Sequence, residues 1–127
     1  MTLDVLPGVY AICRLSANAP LPAWTAGSPF ASITRSASEL SIVCGSEQVP
    51  ADVLAQRGYR GLAVRGPLDF SLVGIMASLA GVLAAASVSI FVVSTYDTDY
   101  LFVREGDFDR ATAALRSAGH AVAGIVS

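Results

Sequence analysis

Five acidic side chains, Asp97, Asp99, Glu105, Asp107 and Asp109, crowd into one short stretch and are the first candidates for chemistry. A calcium loop needs ligands at alternate positions, a central glycine and a closing glutamate, and this spacing lacks that pattern. Asp107 and Asp109 suit the first turn of a helix, where the dipole favours anions, with Asp107 as the expected cap. Asp97 belongs in a turn. Asp99 differs from all of these. It opens an apolar strand, and alternation puts it on the side of Leu101 and Val103. A carboxylate at the edge of a core needs a partner. Either the backbone of Ser94 or Thr95 across a hairpin supplies it, or Asp99 is the counter-charge for a ligand's ammonium group.

A second feature completes such a site. Asp69-Phe70-Ser71 leads straight into a helix, and the free N–H groups of a first turn suit a carboxylate. Gly74 leaves room for close approach. Amide donors on one side and an acid on the other match a free amino acid, although a simple loop–helix junction accounts for the same residues. Other chemistry is missing. There is no Gly-rich phosphate loop, no nucleophile elbow and no spaced Cys/His metal set. His120 is the sole histidine, has no evident nucleophile beside it, and reads as a solvent-facing residue at the start of a strand. Neither a cofactor nor an enzymatic activity is expected.

These residues have to be positioned by a small set of elements. Gly8 to Leu15 reads as a strand, and Ser16 to Pro29 as a proline-rich loop in which Trp24 staples the segment to the core. Phe30 to Arg35 and Glu39 to Gly45 form a hairpin around Ser36-Ala37-Ser38. Pro50 to Gln56 is expected to be a short helix stopped by Gly58, followed by a strand from Tyr59 to Arg65. Ser71 to Ala86 is a helix whose stripe of Leu72, Ile75, Met76, Leu79, Val82, Leu83 and Ala86 faces the core. Its other face, Gly74, Ala77, Ser78, Gly81 and Ala85, is small and uncharged, and suits close packing against a second subunit. Val88 to Ser94 and Thr98 to Arg104 form a second hairpin. Asp107 to Ser117 is a helix stopped by Gly119, and His120 to Val126 is a final edge strand. The two hairpins align, each with a helix after it, so two β-α-β-β-α-like halves are expected, the first lacking its first helix.

At 127 residues the chain makes one ordinary domain or two very small ones, and with 54% hydrophobic and 14% charged residues a core is easily built. The formal net charge of -2 gives no electrostatic footprint for nucleic acid. All eight basic residues are arginines, which with the abundant alanine points to a GC-rich bacterial genome. The uncharged run from Phe70 to Tyr96 is long enough to cross a bilayer. Its acidic flanks, its Ser, Ala and Gly content and its change to a β-branched pattern after Ala86 favour a helix followed by a strand. Cys13 and Cys44 each lie in an apolar run and read as buried reduced thiols. Met1 to Arg14 lacks the plan of a signal peptide, so a cytoplasmic location is expected, with no membrane partner.

The segments Pro67-Leu68-Asp69-Phe70-Ser71-Leu72-Val73-Gly74-Ile75 and Ile90-Phe91-Val92-Val93-Ser94-Thr95-Tyr96-Asp97-Thr98-Asp99-Tyr100-Leu101-Phe102-Val103 carry a family resemblance. Together they resemble bacterial ACT-domain proteins of the group related to the animal cytosolic arginine sensors. The likeness covers roughly residues 60 to 118, with a weaker agreement in element order before it. It implies an α+β, ferredoxin-like ACT fold: a reduced N-terminal unit over residues 1–58, then an ACT domain over 59–127. It also implies a homodimer that binds small molecules, commonly amino acids, without catalysis. In the sensors the Thr and Asp of the second segment, and the loop and glycine opening the preceding helix, line the ligand pocket. The matching positions are Thr95, Tyr96, Asp99, Asp69, Phe70 and Gly74. With their neighbours Ser71, Ile75 and Ser94 they make the candidate ligand-binding set. The expected function is a small-molecule-binding regulatory protein with an amino acid as ligand. The alternative is a ligand-free interaction or dimerisation module.

Overall fold

Strand and helix propensities alternate along the chain, and the computed structural model, which describes residues 1–65 and 74–124, converts them into eight strands and two helices. In order these are β1 (Thr2–Val5), β2 (Tyr10–Leu15), β3 (Ser32–Arg35), β4 (Leu40–Gly45), β5 (Ala55–Val64), α1 (Ile75–Ala85), β6 (Phe91–Ser94), β7 (Asp99–Arg104), α2 (Phe108–Ser117) and β8 (Ala121–Ala123). Short 3₁₀ turns occupy Ala23–Gly27, Ser46–Gln48 and Glu105–Asp107. Two units result, Gly8–Tyr59 and the pair of segments Met1–Pro7 and Arg60–Ser127.

In the Gly8–Tyr59 unit the strands run antiparallel in the order β3-β4-β2-β5. Alternation turns Ala11 and Cys13 to the same interior as Leu40, Ile42 and Cys44, and Trp24 packs its indole against that cluster, holding the proline-rich loop down. Arg35 secures the same loop by donating to the carbonyls of Ala17 and Ala19. The hairpin turn closes with Ser36 N donating to Glu39 O at 2.9 Å. Both cysteines are buried and free. A hydrogen bond to Cys13, together with burial, pushes the Cys44 thiol above its ordinary range.

The expected helix from Pro50 to Gln56 does not form. Ser46–Gln48 makes a 3₁₀ turn, Val53 N bonds Pro50 O at 3.2 Å, and β5 has begun by Ala55. So short a segment cannot recover the cost of helix nucleation, whereas pairing of Ala55 with Cys13 and of Gln56 with Ile12 satisfies its backbone at once. Gly58, read as a helix stop, lies inside the strand at φ 83°, where Arg57 and Gly58 together oppose Ala11 in a β-bulge. No α-helix follows the first hairpin, so the two halves resemble each other less than their sequences suggest.

In the other unit the strand order is β6-β7-β5-β1-β8. The sequence β5-α1-β6-β7-α2-β8 is the β-α-β-β-α-β plan of a ferredoxin-like unit. Strand β1 is inserted in it, antiparallel to β5 and parallel to β8. Leu3 and Val5 of β1 face inward with Leu62 and Val64 of β5, Leu101 and Val103 of β7, Leu79 and Leu83 of α1, and Ala111 and Leu115 of α2. Ile75, Met76, Val82 and Ala86 pack against this cluster, so the expected core stripe of α1 holds over the described residues; Leu72 lies outside them. No described helix is long and apolar enough to cross a membrane, and the uncharged run divides into α1 and β6.

Both helices end in the same way. After α2, His120 N donates to Leu115 O and Gly119 N to Arg116 O, with Gly119 at φ 92°. After α1, Val88 N donates to Leu83 O and Ser87 N to Ala84 O, but the left-handed residue is Ser87, at φ 60°. A left-handed conformation costs a residue with a Cβ about 1–2 kcal/mol, part of which glycine returns as unfolded-state entropy. Ser87→Gly is therefore expected to stabilise the protein by about 0.5–1 kcal/mol, read as a higher denaturation midpoint. The α1 terminus is also held by Arg110, which donates to Ala86 O at 2.9 Å and Ser87 O at 3.1 Å and pairs with Asp107 at 3.0 Å. Asp107 thus stands at the cap position of α2 but spends its carboxylate on Arg110, and no side-chain cap bond forms.

Candidate functional site

The β6–β7 hairpin carries four of the candidate residues. Its register places Ser94 directly opposite Asp99. The Ser94 hydroxyl donates to Asp99 Oδ1 at 2.5 Å, so the partner of the half-buried carboxylate is a side chain rather than the expected backbone amide. No other hydrogen bond to the Asp99 carboxylate is formed among the described residues. Thr95 is committed to the turn. Its amide donates to Thr98 O at 2.8 Å, and its hydroxyl donates to the same carbonyl at 3.1 Å. Tyr96 stands at the tip with 82% of its surface exposed.

One contact missed by sequence reasoning anchors this hairpin. The Thr98 hydroxyl donates to Val64 O at 2.6 Å, tying the turn to the last residue of β5. Gly74, expected inside the helix, instead takes a left-handed φ of 82° immediately before it, so α1 opens at Ile75. A helix returning along the strand it follows starts at the end where that strand stops. The start of α1 and the Ser94/Asp99 pair therefore occupy the same end of the sheet. Ser78 N makes the first intrahelical bond, donating to Gly74 O at 2.8 Å, and the amides before it have no carbonyl within the helix. A Cβ added to Gly74 would meet nothing within 4 Å, and no acidic residue stands in the first turn. Ile75 is half-buried and packs against the core. Asp69, Phe70 and Ser71 lie outside the described residues, and so does any approach of theirs to Asp99.

The other candidate chemistry is quickly placed. His120 Nδ1 accepts from the amino group of Met1 at 3.2 Å. Among the described residues no three His, Cys, Asp or Glu side chains converge as a metal site. Asp97 sits in the exposed turn and Asp109 on the exposed side of α2.

Residues 54–117, half of the chain, match the family model of the ACT domain, and residues 8–52 match a model described as an N-terminal domain. A solved protein from Agobacterium tumefaciens is 40% identical, with 99% of this chain and 94% of that one aligned at a TM-score of 0.93. A Vibrio cholerae protein of unknown function, described as a possible transport protein, is 21% identical over 91% of this chain and 88% of that one, at a TM-score of 0.75. The ligand-free regulatory subunit of aspartate kinase from Thermus thermophilus is 11% identical over 87% of this chain and 93% of that one, at a TM-score of 0.61. These last two similarities speak for the fold. No curated protein matches the chain.

Proposed function

Because the chain belongs to the ACT-domain family, we propose that it is a non-catalytic regulatory module that binds a small molecule, with a free amino acid as the ligand. One observation carries the reading. The half-buried Asp99 has one oxygen fixed by Ser94, at the end of the sheet where α1 begins. In this proposal the ligand's ammonium group pairs with Asp99, Thr95 and Tyr96 border it, and its carboxylate meets the start of α1 at Gly74 and Ile75, with Asp69, Phe70 and Ser71 as the further proposed contacts. The Ser94–Thr95–Asp99 segment supports grouping the protein with the relatives of the arginine sensors. A reduced ACT-like unit over residues 1–58, an ACT domain over 59–127, a cytoplasmic location and a homodimer belong to the same proposal. The likeness to a regulatory subunit of aspartate kinase supports a regulatory role. Binding would act by favouring one assembly state over another, which requires unequal affinity for the two.

A thermal-shift screen against the free amino acids tests this. A ligand at about a hundred times its dissociation constant stabilises by roughly 2.7 kcal/mol, a rise on the order of 10 °C for a domain of this size. Asp99→Ala is expected to abolish that shift and Ser94→Ala to reduce it. A full shift retained in Asp99→Ala would remove the site, and no shift with any amino acid would remove the ligand class.

A second reading rests on a separate observation. Ala77, Ser78, Gly81, Ala84 and Ala85 form an exposed face of α1 without a charge, which fits an interaction module whose function is association alone.

A further inference from the structure

Strand β5 turns Leu62 and Val64 into the core beneath the helices, and alternation continues that row outward to Arg60. An arginine on the inward side of a strand needs a reason. Its guanidinium carbon stands 4.4 Å from the ring centre of Phe108, at the start of α2. The ring covers one side of the guanidinium. Among the described residues the Arg60 side chain makes neither an ion pair nor a hydrogen bond. Arg60 lines a cavity of about 220 Å³ between α2 and strands β1, β5 and β8. Val5, Phe108 and Val122 supply its apolar wall, and Asp109 and Arg116 line it with Arg60. Arg116 is aimed there by a hydrogen bond from Nη2 to Val122 O at 3.3 Å.

We infer that this cavity is a binding site for a small organic monoanion, a carboxylate carrying a compact apolar group. Two guanidiniums and one carboxylate leave a single excess positive charge. A planar guanidinium suits the two oxygens of a carboxylate. The apolar wall takes the body of the ligand, and the volume is below the 300–1,000 Å³ typical of sites for drug-sized molecules. Asp109 repels a second negative charge. The site draws on none of the residues proposed for amino-acid binding, so the two stand or fall separately.

Titration of the full chain with sodium isovalerate, followed by NMR of backbone amides and arginine Nε–H groups, tests the inference. Saturable shifts are expected at Arg60, Arg116 and Ala123, with no such response to sodium chloride at the same ionic strength. Inorganic phosphate, mostly a dianion at neutral pH, is expected to bind more weakly than isovalerate. Arg60→Lys keeps the charge but loses the planar fork, and is expected to weaken isovalerate binding roughly tenfold. Arg116→Gln gives the same test at the other guanidinium should Arg60→Lys not fold. Asp99→Ala is expected to leave the response intact. An equal response to chloride, phosphate binding as tightly as isovalerate, or unchanged affinity in the folded arginine variants would overturn the assignment.

Discussion

Leu83→Ala is expected to cost about 2–5 kcal/mol, a large part of the roughly 5–15 kcal/mol that holds a domain of this kind together. Leu83 is fully buried and belongs to the cluster that joins α1 to β1, β5, β7 and α2. Its loss removes the transfer free energy of the side chain and leaves a void that a helix packed along its whole inner face cannot close by shifting. The urea midpoint should fall by roughly 1–3 M with the slope unchanged. Ala84, the next residue, is exposed, and Ala84→Ser should stay within about 0.5 kcal/mol. The contrast is the informative part. A loss below about 1 kcal/mol at Leu83 would mean that α1 is not docked on the sheet, and Gly74 and Ile75 would then not be held where the proposed site needs them.

What could be read in advance was set by the range over which residues act on one another. The β6–β7 hairpin was legible because Ser94 and Asp99 are close in the chain and opposite in register, so alternation and a turn are enough to bring them together. The inner stripe of α1 was legible from its spacing. Strand β1 was not. Four residues carry little periodicity, and the partners of Leu3 are Val64 and Val122, far along the chain. The start of β5 was hidden for another reason. Gln56, Arg57 and Gly58 look like the end of a helix, and only pairing with β2 turns the glycine into a bulge. Arg60 left a trace that could have been followed, since it shares strand parity with Leu62 and Val64. Its stacking partner Phe108 comes from α2, and no local pattern pairs the two. Asp107 was assigned to the right position with the wrong partner, because Arg110 reaches its carboxylate while also binding the end of α1.

Gly81→Leu separates the stability of one chain from its association, because the two should move in opposite directions. A Cβ built on Gly81 meets nothing within 4 Å, and the residue is exposed in the middle of α1. Glycine inside a helix costs about 0.8–1 kcal/mol relative to a good helix former, so the substitution should stabilise the isolated chain by up to about 1 kcal/mol. If two copies associate through the uncharged face of α1, the same leucine stands where the helices must approach most closely. Overpacking there costs about 1–3 kcal/mol for each protruding side chain, and a twofold interface brings two of them together. The dissociation constant should then rise by roughly one to four orders of magnitude, since each 1.4 kcal/mol is a factor of ten. Sedimentation over a range of concentrations would show the monomer appearing, while denaturation at high dilution would show it unharmed. A dimer that survives Gly81→Leu is held by another surface, and the small residues of α1 then need a different explanation.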